Sequence, residues 1–178
     1  ALILCTSDRG LCGGFNVNLI TKAEKLIQNE LAGKEVSLVC YGKKGRDWAS
    51  KLPQDIDEEY IGVVGGNVEF SVASSSGQKL IDSFLEGAVD EVYLIYSEFV
   101  SMATQKPTVK QILPIPSLDE VVEEKEVDAN APFLPEHICE PSSDALLGEM
   151  LPKNVFIQIY DALLQTSTSE HAARMRAM

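Results

Sequence analysis

The chain has 178 residues, 45% of them hydrophobic, and a formal net charge of −12. That length suits one domain with a substantial core; no apolar run approaches the roughly 20 residues that span a bilayer, and no signal-peptide pattern leads the chain, so a cytosolic or peripheral protein is expected. An acidic surface repels nucleic acid and anionic lipid at long range, so neither is expected as a direct partner.

Ala1 to Cys5 is a short apolar run that predicts a first strand. It leads into TSDRGLCGGFN, Thr6 to Asn16, a glycine-rich turn that opens a helical pattern. Such a turn is where α/β proteins cradle a phosphate, because glycines admit close backbone approach and the helix N-terminus is electropositive. The spacing does not support that use. Gly10, Gly13 and Gly14 read G-x-x-G-G rather than the dinucleotide G-x-G-x-x-G, and no Gly-Lys-Ser/Thr closes the loop.

Leu19 to Leu31 places Ile20, Ala23, Ile27 and Leu31 at helical spacing, with Asn16 or Asn18 as the expected cap and Gly33 as the stop. Glu35 to Tyr41 returns to strand character, and a second helix is expected over Lys44 to Leu52, ended by Pro53. Tyr60 to Val64 reads as a short strand before a glycine-rich stretch. A third helix fills Val72 to Leu85 and stops near Gly87. Val92 to Phe99, rich in β-branched and aromatic residues, is a strong strand, and Val109 to Ile115 follows the polar Thr104 to Pro107 closely enough to pair antiparallel with it. The order describes an α/β, Rossmann-like layered domain with a mixed sheet.

Ser117 to Pro141 carries six carboxylates in its first half and reads as a solvated loop or polar helical turn; an EF-hand spacing is absent, so no metal is expected there. Cys5, Cys12, Cys40 and Cys139 form no C-x-x-C pair and read as buried or loop thiols in a reducing compartment.

In the last helix Pro152 suits a first helical position, and Phe156, Ile159, Leu163 and Leu164 supply an apolar face. That face fades into Thr166 to Glu170 before Ala172, Ala173, Met175 and Met178 restore it. A helix of about 27 residues is roughly 40 Å long, so its far half is expected to leave the domain. Ala1 lies inside a strand pattern and Met178 inside a helical one, so a fragment is expected, divided into a globular domain, 1–150, and the start of a long helix, 151–178.

The turn TSDRGLCGGFN resembles the segment that follows the first long helix in the gamma subunits of F-type ATP synthases. EPSSDALLGEML, Glu140 to Leu151, and SEHAARMRAM, Ser169 to Met178, resemble that family's Glu-Pro-Ser run and the signature of its final helix. Val89 to Pro116 is similar as well, so the resemblance covers nearly the whole chain. The resemblance implies a mechanical role, that of a central-stalk rotor whose coiled-coil shaft turns inside a hexamer of catalytic alpha and beta subunits. Its globular domain stands on the membrane c-ring and binds the epsilon subunit, coupling proton flow to ATP synthesis. It implies no cofactor and no catalytic residue in this chain, because nucleotide and magnesium belong to the hexamer. It also implies a place on the cytoplasmic side of the bacterial inner membrane, held there only through the complex. The shaft's partner helix and its seam are expected to lie outside this sequence.

Residue by residue, Arg9 and Cys12 match family positions near acidic loops of the catalytic subunits; alternatively Asp8 and Arg9 tie the turn to its own domain. Glu170 and Arg174, one helical turn apart, either pair with each other or reach the catalytic collar. Gly10, Gly13 and Gly14 serve turn geometry. Two other readings stand beside this one. The first is an α/β nucleotide-binding module or enzyme using the Gly10–Gly14 loop, although its second strand ends in Cys40 and Tyr41 rather than an acid for a ribose hydroxyl. The second is a free-standing protein-interaction domain.

Overall fold

The computed structural model describes residues 1–115, 140 and 142–178. The acidic segment read between Ser117 and Pro141 lies outside them, apart from Glu140. Five strands form one sheet in the order β3-β2-β1-β4-β5. β1 (Leu2–Cys5) and β2 (Leu38–Tyr41) sit inside it and are buried at every residue. β1 pairs parallel with both β2 and β4 (Val92–Phe99), β2 pairs parallel with β3 (Ile56–Tyr60), and β5 (Gln105–Leu113) closes the other edge antiparallel to β4.

Strands covered on both faces need apolar residues at every position, and alternation then divides them between two cores. Ile3, Cys5, Val39 and Tyr41 point to one core, shared with α3 (Phe70–Leu85) and α4 (Ser143–Ala177). Leu2, Leu4, Leu38 and Cys40 point to the other, shared with α1 (Phe15–Lys25) and α2 (Lys43–Ala49). The α/β layered class with a mixed sheet and a long C-terminal helix is the architecture observed.

Several boundaries differ from expectation, each for a physical reason. Gly14 occupies the N-cap of α1 with no side-chain cap bond, because Asn16 turns back to hold Ser7. The helix ends in a widened turn over Leu26–Glu30, closed by Leu31 N donating to Leu26 O. β3 runs over Ile56–Tyr60 instead of Tyr60 to Val64. Its run of acids reads as loop in the sequence, but Glu58 pairs with Lys79 of α3 and Glu59 with Arg46 of α2, which makes the charges compatible with an edge strand. β5 begins at Gln105 and takes in Pro107, which an edge strand tolerates.

The largest difference is in α4. Ser142 caps it by accepting from Ala145 N, and the helix runs through Pro152 for 35 residues, about 52 Å. Pro152 withholds the hydrogen bond that Gly148 O would receive, and Gly148 is exposed, so water can serve that carbonyl. The division at residue 150 therefore falls inside one helix. Its exposed half is also the opposite of the one expected: residues 143–151 are exposed, whereas Thr166, Ser167, Ser169, Glu170 and Ala172 are buried.

α3 and α4 approach closely at Gly77, where an added Cβ would lie 2.6 Å from Phe156 Cδ1 and 3.4 Å from Ile159 Cδ1. Gly77→Ala is expected to lower stability by about 1–2 kcal/mol, overpacking outweighing the roughly 1 kcal/mol gain in helix propensity, and Phe156→Leu should recover much of the loss. Urea denaturation checks both variants.

Burial pushes the Cys5 thiol up and the Cys40 thiol up to about 12 from an ordinary 9.0. Above about pH 9 the unfolded chain releases these protons and the folded chain does not, so stability falls as pH rises. Each thiol contributes a slope of about 1.4 kcal/mol per pH unit. Unfolding free energies at pH 8 and pH 10.5 should differ in that direction, and Cys5→Ala with Cys40→Ala should flatten the dependence.

Candidate functional site

β1, β2 and β3 build outward to one side, and the chain then returns to β4 on the other side of β1. In open α/β sheets the crevice at such a reversal, outside the C-terminal ends of the strands, is the ordinary ligand site. Here the chain fills it with its own helix. The last β1–β4 partners are Leu4 and Ile95, while β4 continues to Phe99. Beyond that point Ser97 N donates to Thr166 Oγ1 at 3.3 Å, Ser169 Oγ donates to Ser97 O at 3.1 Å, and Phe99 N donates to Gln165 Oε1 at 3.3 Å. Ser97, Thr166 and Ser169 are all buried.

The glycine turn is held against the end of the same helix. Asn16 Oδ1 accepts from Ser7 N, Asn16 Nδ2 donates to Ser7 Oγ at 2.8 Å, and Ser7 Oγ donates to Arg9 O. Asp8 Oδ1 accepts from Lys43 N at 3.0 Å, so Asp8 does tie the turn to its own domain. Arg174 Nη1 donates to Gly10 O at 3.1 Å, and Arg176 Nη1 donates to Ala103 O in the β4–β5 hairpin. Gly13 has φ +57, a left-handed backbone that favours glycine, while an added Cβ would meet Ala177 only at an ordinary contact distance of 4.0 Å. An open cavity of about 440 Å³ separates the turn, the hairpin and the helix end. Arg176, on its wall, is already engaged by the hairpin carbonyl.

Of the residues singled out in the sequence, Arg9 is exposed and, among the described residues, makes no ion pair. Cys12 is only 2% exposed, its sulfur 3.1 Å from Asn16 Nδ2, so it faces inward from the turn. Glu170 is equally buried and pairs with Arg174 through Oε1, while its Oε2 has no hydrogen-bond partner among the described residues and lies near Gly65. His171 Nδ1 stands 3.8 Å from that oxygen. The structure thus brings Gly10, Arg174 and Glu170 into one chain of contacts, with Cys12 on the inner side of the same turn.

Sequence reasoning missed Leu11. It is 78% exposed with φ +62, a left-handed backbone that costs a non-glycine residue about 1–2 kcal/mol. No composition or spacing signal marks it, because only the observed backbone reveals it. Arg9 and Leu11 together form the tip that the turn offers to solvent. Among the described residues no cluster of His, Cys, Asp and Glu could hold a metal, and no helix is long and apolar enough to cross a membrane.

Removing Arg174 would leave a buried carboxylate uncompensated. Arg174→Met is expected to cost about 2–3 kcal/mol, toward the low end for a buried pair because 24% of the Arg174 side chain stays exposed. Adding Glu170→Gln to that variant should restore part of the loss, a coupling that a double-mutant cycle by urea denaturation measures.

The protein-family model described as ATP synthase matches residues 1–178. The chain is 68% identical to the ATP synthase gamma chain of Desulforapulum autotrophicum and 54% identical to that of Desulfosudis oleivorans. Each match covers 99% of this chain and 60% of the relative, so the chain spans about three fifths of their length. Among solved structures it is similar to the central stalk and c-ring of the Tetrahymena thermophila mitochondrial ATP synthase, with TM-score 0.73 and 24% identity over 99% of this chain and 73% of that one. It is also similar to the rotor of the Euglena gracilis mitochondrial ATP synthase, with TM-score 0.67 and 18% identity over 99% of this chain and 64% of that one. These structural likenesses carry the fold; with the family match over the whole sequence, the chain belongs to the ATP synthase family, on the side of its gamma chains.

Proposed function

We propose that this chain is the globular foot of a non-catalytic gamma rotor subunit, which couples proton flow through a membrane c-ring to ATP synthesis in an alpha/beta hexamer. The observation that carries the reading is the outer face of α4. Leu147, Met150, Ile157, Leu164, Met175 and Met178 are all exposed, and with Asn154, Asp161, Thr168 and His171 they recur at alternating steps of three and four residues along the helix. That spacing is the seam of a left-handed coiled coil. Under this reading a seam lies on this helix, on its exposed side, instead of wholly outside the sequence. A partner helix from the remaining two fifths of a gamma-type chain is its natural occupant, and the few polar positions within the seam would fix its register.

Under this reading residues 1–150 supply the foot and 151–178 belong to the shaft, with α4 serving both. Arg9 and Leu11 are the contacts offered to the catalytic subunits, with the guanidinium suited to a carboxylate and the leucine to an adjoining apolar surface. Glu170 and Cys12, being buried, act by holding that tip in place with Arg174. The epsilon subunit and c-ring would meet other surfaces of the foot, at the cytoplasmic face of a bacterial plasma membrane. The occupied crevice at the strand reversal disfavours the rival nucleotide-binding reading.

The test is reconstitution of the complex in proteoliposomes with the full-length chain. ATP-driven proton pumping should require the chain, and Arg9→Ala should lower the protons pumped per ATP while changing folding stability by less than about 1 kcal/mol, as for an exposed charge. Pumping that is equally efficient without the chain would reject the rotor role.

A further inference from the structure

We infer that Gln165, Thr166 and Ser169 form a polar clamp that fixes the rotational and axial register of the shaft helix on the foot, so that torque passes between them. The inference rests on the rotor reading above and identifies the residues that would transmit the load. A helix packed only by Val155, Ile159 and Leu163 is held by non-directional contacts, which resist separation better than they resist sliding or rolling. Hydrogen bonds to main-chain groups of a strand are directional and have one register. Ser97 N and Ser97 O are engaged by residues 166 and 169, three apart and so on one face of α4, and Phe99 N is engaged by Gln165 one residue away.

The burial pattern points the same way. Thr166 and Ser169 are fully buried at the centre of the contact, where valine and alanine would fill similar space without the need for partners. Their oxygens meet main-chain groups that β1 no longer serves, so neither side of the contact is spare. Toward the end of the helix, Arg174 on Gly10 O and Arg176 on Ala103 O carry the grip to the glycine turn and to the β4–β5 hairpin. Rotation of the helix is thereby tied to the position of the Arg9–Leu11 tip. Thr166 and Ser169 are positioning residues that need touch no partner subunit.

The experiment places Thr166→Val, Ser169→Ala and the double variant in the full-length chain within the reconstituted complex and measures both ATP hydrolysis and protons pumped per ATP, normalised to assembled complex. Coupling is established here by a measured change in it, and the double variant should pump about half as many protons per ATP while hydrolysis is kept. Thr166→Ser, which retains the oxygen, should pump as the parent does. Parental pumping by the double variant, or a fall shared equally by Thr166→Ser, overturns the clamp. If the double variant does not assemble, the two single variants decide the matter: unchanged pumping per assembled complex with only a lowered melting temperature means a purely structural role and rejects the proposal. Failure of the underlying reading looks different, since complexes lacking the chain altogether would then pump as well as those containing it.

Discussion

The fold turns on a mismatch in strand length. β1 stops at Cys5 and β4 runs on to Phe99, so main-chain groups of buried Ser97 and half-buried Phe99 have β5 on one side and no strand on the other. An unpaired buried amide or carbonyl costs on the order of 1–3 kcal/mol, so something must meet each of them. Only a polar stretch of α4 can do so at this place in the topology. That requirement fixes where the helix crosses the sheet, and it accounts for threonine and serine inside a helix that also buries Val155, Ile159, Ala162, Leu163 and Ala172. The turn and the hairpin then follow, because Arg174 and Arg176, about one and a half and two turns beyond Ser169, reach their carbonyls.

This explains which parts of the fold could be read in the sequence. The buried strands β1, β2 and β4 announce themselves as apolar and β-branched runs, and α3 by its periodicity, since in each case burial acts on side-chain chemistry alone. β3 does not, because its Asp57, Glu58 and Glu59 look like loop until Arg46 and Lys79 arrive from other elements. The polar segment Thr166 to Glu170 misleads for the same reason. Hydroxyls appear solvent-facing on a helical wheel, and only the three-dimensional position of Ser97 shows that they are satisfied inside. At the site, the Glu170–Arg174 pair is legible in its four-residue spacing, whereas Leu11 and the inward turn of Asn16 depend on backbone angles that no pattern encodes.

α4 inverts the usual logic of an amphipathic helix. Its outward face repeats at coiled-coil spacing with exposed leucine, isoleucine and methionine, while part of its inward face is hydroxyl and carboxylate. The outward face also carries Asn154, Asp161, Thr168 and His171, so it is apolar only in part. Apolar residues are buried against the sheet on one side, and under the proposed rotor reading those on the other side would be buried by a partner helix. The polar contacts supply the discrimination that apolar contact lacks.

The Glu170–Arg174 pair shows how far that discrimination goes. A buried ion pair contributes little net stability against an apolar replacement of the same shape, because desolvation offsets attraction. Here one carboxylate oxygen accepts no hydrogen bond among the described residues, with only His171 Nδ1 nearby at 3.8 Å, which makes the balance worse. What the pair does provide is geometry: Glu170 orients the Arg174 guanidinium, whose second nitrogen holds Gly10 O, and Gly10 is flanked by the exposed Arg9 and the strained Leu11. A residue at φ +62 persists only where its surroundings determine it, and here these are the Ser7–Asn16 bonds to the turn, Asp8 on Lys43 N, and Arg174 on Gly10 O. The turn is thus anchored both to its own domain, through Asp8 and Asn16, and to α4, through the directional bond from Arg174 to Gly10 O.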